Sequence, residues 1–136
     1  MQELFSRRLY LCVGLRDDMA TFLPAVLRGG VDVVQLREKD LPDVERIAAA
    51  RVMIPICHDF GVPFVMNDSP ELALEVGADG VHVGQDDVSV AACRASCTPH
   101  CAVVSDRLTA VAAACVAGGA LICASVPTSS LKSSGA

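Results

Sequence analysis

The chain has 136 residues, of which 52% are apolar and 20% charged, and a formal net charge of -5. That length allows one domain with a real core, and the two lysines, single tyrosine and absence of tryptophan argue against nucleic acid as a partner. With no apolar run near the ~18 residues of a membrane span and no signal-peptide pattern at Met1-Gln2-Glu3, the chain reads as a cytoplasmic protein without a membrane partner.

Leu9 to Val13 reads as a buried strand. A helix is predicted from about Asp18 to Leu27, with acidic residues at its start and Gly29-Gly30 beyond its end. Val31 to Leu36 forms the second strand, and a helix follows from about Pro42 to Phe60. Pro55 falls inside that helix and is expected to kink or split it, because proline removes an amide donor. Gly61 ends it. The third strand is Val62 to Met66, followed by a short helix capped by Ser69 and ending at Val76. Gly77-Ala78-Asp79 turns into a fourth strand, Gly80 to Val83. A weaker helix at 88–95, a strand at 102–104, a helix at 108–117 and a strand at 120–124 follow, and residues 127–136 read as loop.

Strands and helices thus alternate in units of ~20–30 residues, the pattern of a parallel sheet covered by helices. An open doubly wound sheet and part of a β/α barrel share this pattern. No G-x-G-x-x-G turn follows the first strand, which weakens a dinucleotide reading.

Charge is unevenly spread. Residues 1–87 hold 15 of the 16 carboxylates, and residues 88–136 hold one, with three basic residues and five of the seven cysteines. Cys93, Cys97 and Cys101 are spaced C-x3-C-x3-C rather than in the paired C-x2-C pattern of zinc sites, so free thiols are expected.

Three polar clusters directly follow strands: Gln35-Leu36-Arg37-Glu38-Lys39, Asn67-Asp68 and Gly84-Gln85-Asp86-Asp87. Parallel α/β folds carry their chemistry at these carboxyl ends. Gln35, Arg37 and Lys39 alternate along an extended chain and offer three donors to an anion; alone, the string also fits a solvated loop. Two carboxylates from adjacent strand ends, with water and phosphate oxygens, suit Mg²⁺. The same acids also suit helix N-termini. Three clusters at corresponding strand ends favour the functional reading. His82 faces opposite to Val81 and Val83 and is expected to be a hydrogen-bonded layer residue. Ser105 is a hydroxyl at the next strand end. Thr128, Ser130 and Lys132 offer hydroxyls and a cation that suit diphosphate, in a stretch that also reads as a polar tail.

These residues resemble thiamine phosphate synthase and the wider superfamily it shares with TenI. The resemblance rests on Gly29-Gly30-Val31, Val34 to Lys39, Val65-Met66-Asn67-Asp68 and Ala78 to Asp87, in order and at family-like spacing. It is strong over about 9–91 and weak over 92–136. It implies a TIM barrel, here a partial (β/α)8 barrel with about six parallel strands, forming one incomplete domain over 1–136. It implies Mg²⁺-dependent transfer of a hydroxymethylpyrimidine group from its diphosphate to thiazole phosphate, giving thiamine phosphate and diphosphate. Gln35, Arg37, Lys39 and Asn67 would bind the pyrimidine diphosphate, with Arg37 and Lys39 acting electrostatically and no protein nucleophile. Asp68 and Asp87 would bind Mg²⁺, and Ser105, Thr128, Ser130 and Lys132 the diphosphate. A full barrel needs eight strands and usually ~200 or more residues. The strands that hold the thiazole phosphate in the family are expected to be missing, with little or no turnover by this chain. The alternatives are a TenI-type thiazole tautomerase and a non-catalytic ligand-binding fragment.

Overall fold

Alternation within the short apolar runs decides which side of the sheet each side chain occupies. A computed structural model describes residues 9–84, 89–96, 101–105, 111–116 and 120–125. In chain order the elements are β1 (Leu9–Val13), α1 (Met19–Arg28), β2 (Val33–Leu36), α2 (Asp43–Asp59), β3 (Phe64–Asn67), α3 (Pro70–Val76), β4 (Gly80–Val83), α4 (Val90–Ser96), β5 (Ala102–Ser105), β6 (Val111–Val116) and β7 (Ala120–Ser125). They build one sheet in the order β5-β4-β3-β2-β1-β7-β6. Strands β1 to β5 run parallel, as expected of helical crossovers.

One face of the parallel strands is apolar. Leu11, Val13, Val34, Leu36, Phe64, Met66, Val81 and Val83 pack with Leu23, Leu27, Ala50, Met53, Cys57 and Leu72 of the helices in a single buried cluster. The alternate positions point to the other face, and they include Tyr10, Cys12, Gln35, Asn67 and His82. Strand register sets a row across that face, Cys12 opposite Gln35, Gln35 opposite Val65 and Val65 opposite Gly80. Asn67 pairs with His82 further toward the carboxyl ends.

The opposite ends of the strands are tied by a repeated carboxylate device. Asp32 accepts the Leu9 amide at 2.7 Å, and its own amide donates to the Leu9 carbonyl at 3.0 Å. Asp79 does the same for Phe64, at 2.8 Å and 2.9 Å. Each aspartate supplies the acceptor that the first amide of the neighbouring strand lacks. Its place just before β2 or β4 fixes how adjacent strands line up. His58, at the end of α2, adds a contact of 2.8 Å to the Asp79 carboxylate.

The helices follow the sequence signals closely. Ser69 caps α3 by accepting the Leu72 amide at 3.2 Å, and Gly77 ends it in the left-handed region at φ 70°. At α1, Asp18 occupies the cap position without a side-chain cap bond. Its carboxylate instead pairs with Arg16, at 2.8 Å and 3.1 Å, and Arg16 lies 4.0 Å over the Phe22 ring. Pro55 does not split α2, which runs unbroken through it. The proline is exposed, so the carbonyl it leaves without a partner lies on the face that water can reach.

The second part of the sheet departs from expectation. The helix expected over 108–117 is replaced by β6, which pairs antiparallel with β7 from Val111 opposite Ser125 to Val116 opposite Ala120. Strand β7 in turn pairs antiparallel with β1. Among the described residues five strands are therefore parallel rather than about six. The run Val-Ala-Ala-Ala-Cys-Val has no polar face to distinguish helix from strand, and the ladder to β7 pairs one side of its backbone. The loop expected at 127–136 lies outside the described residues. No helix among the described residues is long and apolar enough to cross a membrane.

Candidate functional site

On one face of β1, β2 and β3, toward and just past their carboxyl ends, a continuous hydrogen-bonded chain of polar side chains is assembled. Gln35 and Asn67 are its centre, with only 2% and 3% of their surface exposed. A buried amide without partners costs several kcal/mol, on the order of 2–7, so their bonding sets the local arrangement. The Gln35 Nε2 donates to Asn67 Oδ1 at 2.8 Å, and Asn67 Nδ2 donates to Asp68 Oδ2 at 2.8 Å. On the other side Gln35 Oε1 accepts from the Tyr10 hydroxyl at 2.7 Å and lies 3.6 Å from Cys12 Sγ. Every donor in this sequence points toward the Asp68 carboxylate.

Asp68 is held by its backbone as well. It has φ 64°, the one positive value at a residue other than glycine among the described residues. Aspartate tolerates this region better than most residues. Its amide donates to the His82 carbonyl at 2.7 Å, and the Ser69 amide turns back to the Asn67 carbonyl at 2.9 Å. The chain therefore reverses sharply after β3, which brings the carboxylate beside Asn67. Such strained positions are enriched at functional sites.

Lys39 completes the cluster. Its Nζ lies 3.9 Å from Asp68 Oδ2, with the lysine side chain 57% exposed and the aspartate 25%. A contact this open is weak as a source of stability and leaves the cation available to a ligand. Arg37 is exposed at the same strand exit. Its backbone amide donates to the Val13 carbonyl at 2.9 Å, and Glu38 Oε1 accepts the Leu15 amide at 2.6 Å. These two bonds fasten the segment after β2 to the segment after β1.

The structure thus brings together Gln35, Asn67, Asp68 and Lys39, and sets Arg37 alongside. Gln35 is buried in its strand with its amide committed to neighbours, whereas Arg37 and Lys39 reach solvent. Ser105 ends β5, paired in register with Val83. Asp87, with Gln85 and Asp86, and Thr128, Ser130 and Lys132 lie outside the described residues. His82 is half-buried on the same face as Asn67, as its alternation with Val81 and Val83 implies. The sequence names Glu38 within its cluster without a role of its own, and gives Tyr10 and Cys12 no part in the site. Alternation of positions 10 and 12 with the buried 11 and 13 was the available signal for these last two.

Asp68 offers a hard carboxylate oxygen of the kind that Mg²⁺ takes. Among the described residues no group of three or more His, Cys, Asp or Glu side chains gathers around a metal position. One carboxylate at a solvent-reaching edge fits an ion that completes its shell with water and phosphate oxygens better than one held in an all-protein cage.

Fold and geometry together define a β/α protein whose five parallel strands gather charged and amide side chains toward their carboxyl ends. The fold is shared with thiamine phosphate pyrophosphorylase from Pyrococcus furiosus, at a TM-score of 0.63 and 22% identity over 71% of this chain and 48% of that one. The family model for thiamine monophosphate synthase matches residues 9–123, and the chain belongs to that family. Relatives named thiamine-phosphate synthase include one from Nostoc sp. strain PCC 7120, 40% identical over 93 residues, which are 68% of this chain and 26% of that protein. Another, from Bacillus cereus strain AH820, is 43% identical over 100 residues, 69% of this chain and 45% of the relative. The Roseiflexus sp. strain RS-1 protein is 46% identical over 70 residues, 52% of this chain and 30% of its own length. The chain therefore spans less than half the length of these relatives.

Proposed function

We propose that this chain forms the pyrimidine-diphosphate and Mg²⁺ part of a thiamine phosphate synthase site. The family match supports this reading, and one observation carries it: the hydrogen-bonded run Gln35–Asn67–Asp68 ending beside Lys39. In the proposed reaction the bond between the exocyclic methylene carbon and the diphosphate oxygen breaks, and both electrons leave with diphosphate. The aminopyrimidine ring stabilises the cation, and the thiazole phosphate nitrogen then forms the new carbon–nitrogen bond. Arg37 and Lys39 would bind the departing oxygens and offset their growing charge. Gln35 and Asn67 would hold the site in shape, so catalysis is positioning and electrostatics. Asp68 and Asp87 would hold Mg²⁺, which when bound neutralises charge on the diphosphate. Ser105, Thr128, Ser130 and Lys132 are assigned to the diphosphate by family resemblance. A cytoplasmic setting and a single incomplete barrel domain over 1–136 belong to the same reading.

Calorimetric titration of the chain with the pyrimidine diphosphate tests it. Binding should require Mg²⁺, should be lost in Asp68→Ala, and should weaken at least tenfold in Arg37→Ala. Equal binding in EDTA and in both variants would refute the proposal. Incubation with both substrates should give little or no thiamine phosphate; turnover at the rate of a full-length relative would contradict the incomplete-domain assignment.

A further inference from the structure

We propose that Glu38 is a positioning residue for the two cations beside it, through a hydrogen bond to the turn after β1 that requires glycine at position 14. The inference rests on the reading of Arg37 and Lys39 as diphosphate-binding residues and adds what holds them in place. Strands β1 and β2 pair in register as far as Val13 opposite Leu36. One further ladder bond runs from the Arg37 amide to the Val13 carbonyl at 2.9 Å. Continued, a parallel ladder would give the Leu15 amide to the Arg37 carbonyl. The Glu38 carboxylate takes that amide instead, through Oε1 at 2.6 Å. Chemistry fixes the roles in this bond, because a backbone amide only donates and an ionised carboxylate only accepts. Arg37 and Lys39, both exposed, are therefore carried on a segment that leaves the sheet yet stays fastened to β1 at the residue between them.

Gly14 makes room for this bond. A Cβ there would stand 2.5 Å from Glu38 Oε1, whereas Glu38 Cδ at 3.4 Å and the Arg37 carbonyl oxygen at 3.7 Å are ordinary contacts. Gly14 is not one of the glycines with positive φ, so alanine adds no backbone strain. The atom it displaces is the tip of a flexible side chain. Gly14→Ala thus pushes the Glu38 carboxylate away while leaving Arg37 and Lys39 unaltered. A segment released in this way must be ordered by the ligand on binding, which lowers affinity.

Glu38→Gln and Glu38→Ala separate the bond from the charge. Both remove the negative charge between the cations, but only glutamine keeps an oxygen for the Leu15 amide. In calorimetry of the 136-residue chain with Mg²⁺ and inorganic diphosphate, Glu38→Ala should bind about fivefold more weakly than Glu38→Gln, the scale of one hydrogen bond. Equal affinities would overturn the proposal. Gly14→Ala should weaken binding in the wild-type background and have no further effect beside Glu38→Ala. Additive losses would refute the tie, since Gly14 would then act by another route. The ligand-free protein gives a reading apart from binding. Backbone ¹⁵N relaxation should show Arg37 and Lys39 less ordered in Gly14→Ala and in Glu38→Ala, and as ordered as wild type in Glu38→Gln. Unchanged order at both residues in Glu38→Ala would also overturn the proposal. If the wild-type chain gives no binding heat at all, the functional reading fails, while the relaxation data still decide whether Glu38 fixes this segment.

Discussion

The two buried amides owe their positions to side chains well separated in sequence, and the same holds for the thiol of Cys57. Cys57 on α2 is fully buried, and burial, aided by the nearby Asp79 carboxylate, pushes its thiol up to about 12. The thiolate is the reactive species, so the folded protein should protect Cys57 from iodoacetamide at mildly alkaline pH and release it to labelling in urea. Peptide mapping by mass spectrometry reads both states. Because burial is the larger cause, Asp79→Asn should bring the thiol only part of the way back, and labelling of Cys57 should remain slow. Labelling in the folded state at the rate of an unhindered thiol would contradict its placement. Of the site itself, the polar residues after β2 and β3 were legible because strand ends in this kind of fold are where such clusters work. Alternation puts Tyr10 and Cys12 on one face of β1, but their contacts with Gln35 depend on strand register, which local periodicity does not report.

At the level of elements, two constraints come from neighbours rather than from propensity. A Cβ at Gly80 would stand 3.0 Å from the Ala102 carbonyl oxygen and 3.4 Å from Val65 Cγ2. A side chain there requires the β5 backbone or Val65 to give way slightly. Gly80→Ala should destabilise the protein by about 1–3 kcal/mol, the usual cost of overpacking, as measured by urea unfolding. A neutral effect would mean that β5 yields easily. The second constraint is the Arg16–Asp18 pair at the start of α1. The Arg16 hydrogen bond holds the Asp18 carboxyl below its ordinary value. A depressed folded-state pKa contributes stability above the unfolded value and loses it as pH falls through the folded one. Asp18→Asn should thus lower the unfolding midpoint slightly at neutral pH, and the gap to wild type should close in acid. A gap that widened in acid would reverse the assigned sign. The parallel elements up to β5 were readable since each carries a turn signal and a change of period. The stretch at 111–116 carries neither, and only its pairing with β7 makes it a strand.

The whole molecule is a sheet of two characters. Its parallel part is covered by helices and packs into one apolar cluster, and its antiparallel part meets β1 on the edge away from β2. In a closed barrel each strand has a neighbour on both sides. Here β1 obtains its second neighbour from β7, and β5 and β6 stand at the ends of the order. That arrangement predicts where backbone protection should fall. Amides of β2 and β3 lie between paired strands above a buried helical layer, so they should open only with global unfolding. Among the described residues β6 pairs with one strand, and its amides should exchange through local opening, at a lower free energy. Hydrogen exchange followed by mass spectrometry distinguishes these classes, with peptides over 33–36 and 64–67 the slowest and those over 111–116 much faster. The site should inherit this protection, since Gln35 and Asn67 belong to the two central strands while Asp68 and Lys39 lie just beyond them. Added Mg²⁺ and diphosphate should slow exchange at 37–40 and 68–69 and leave 111–116 unchanged. Uniform protection across all seven strands would refute this division and indicate that the antiparallel pair folds as one cooperative unit with the rest.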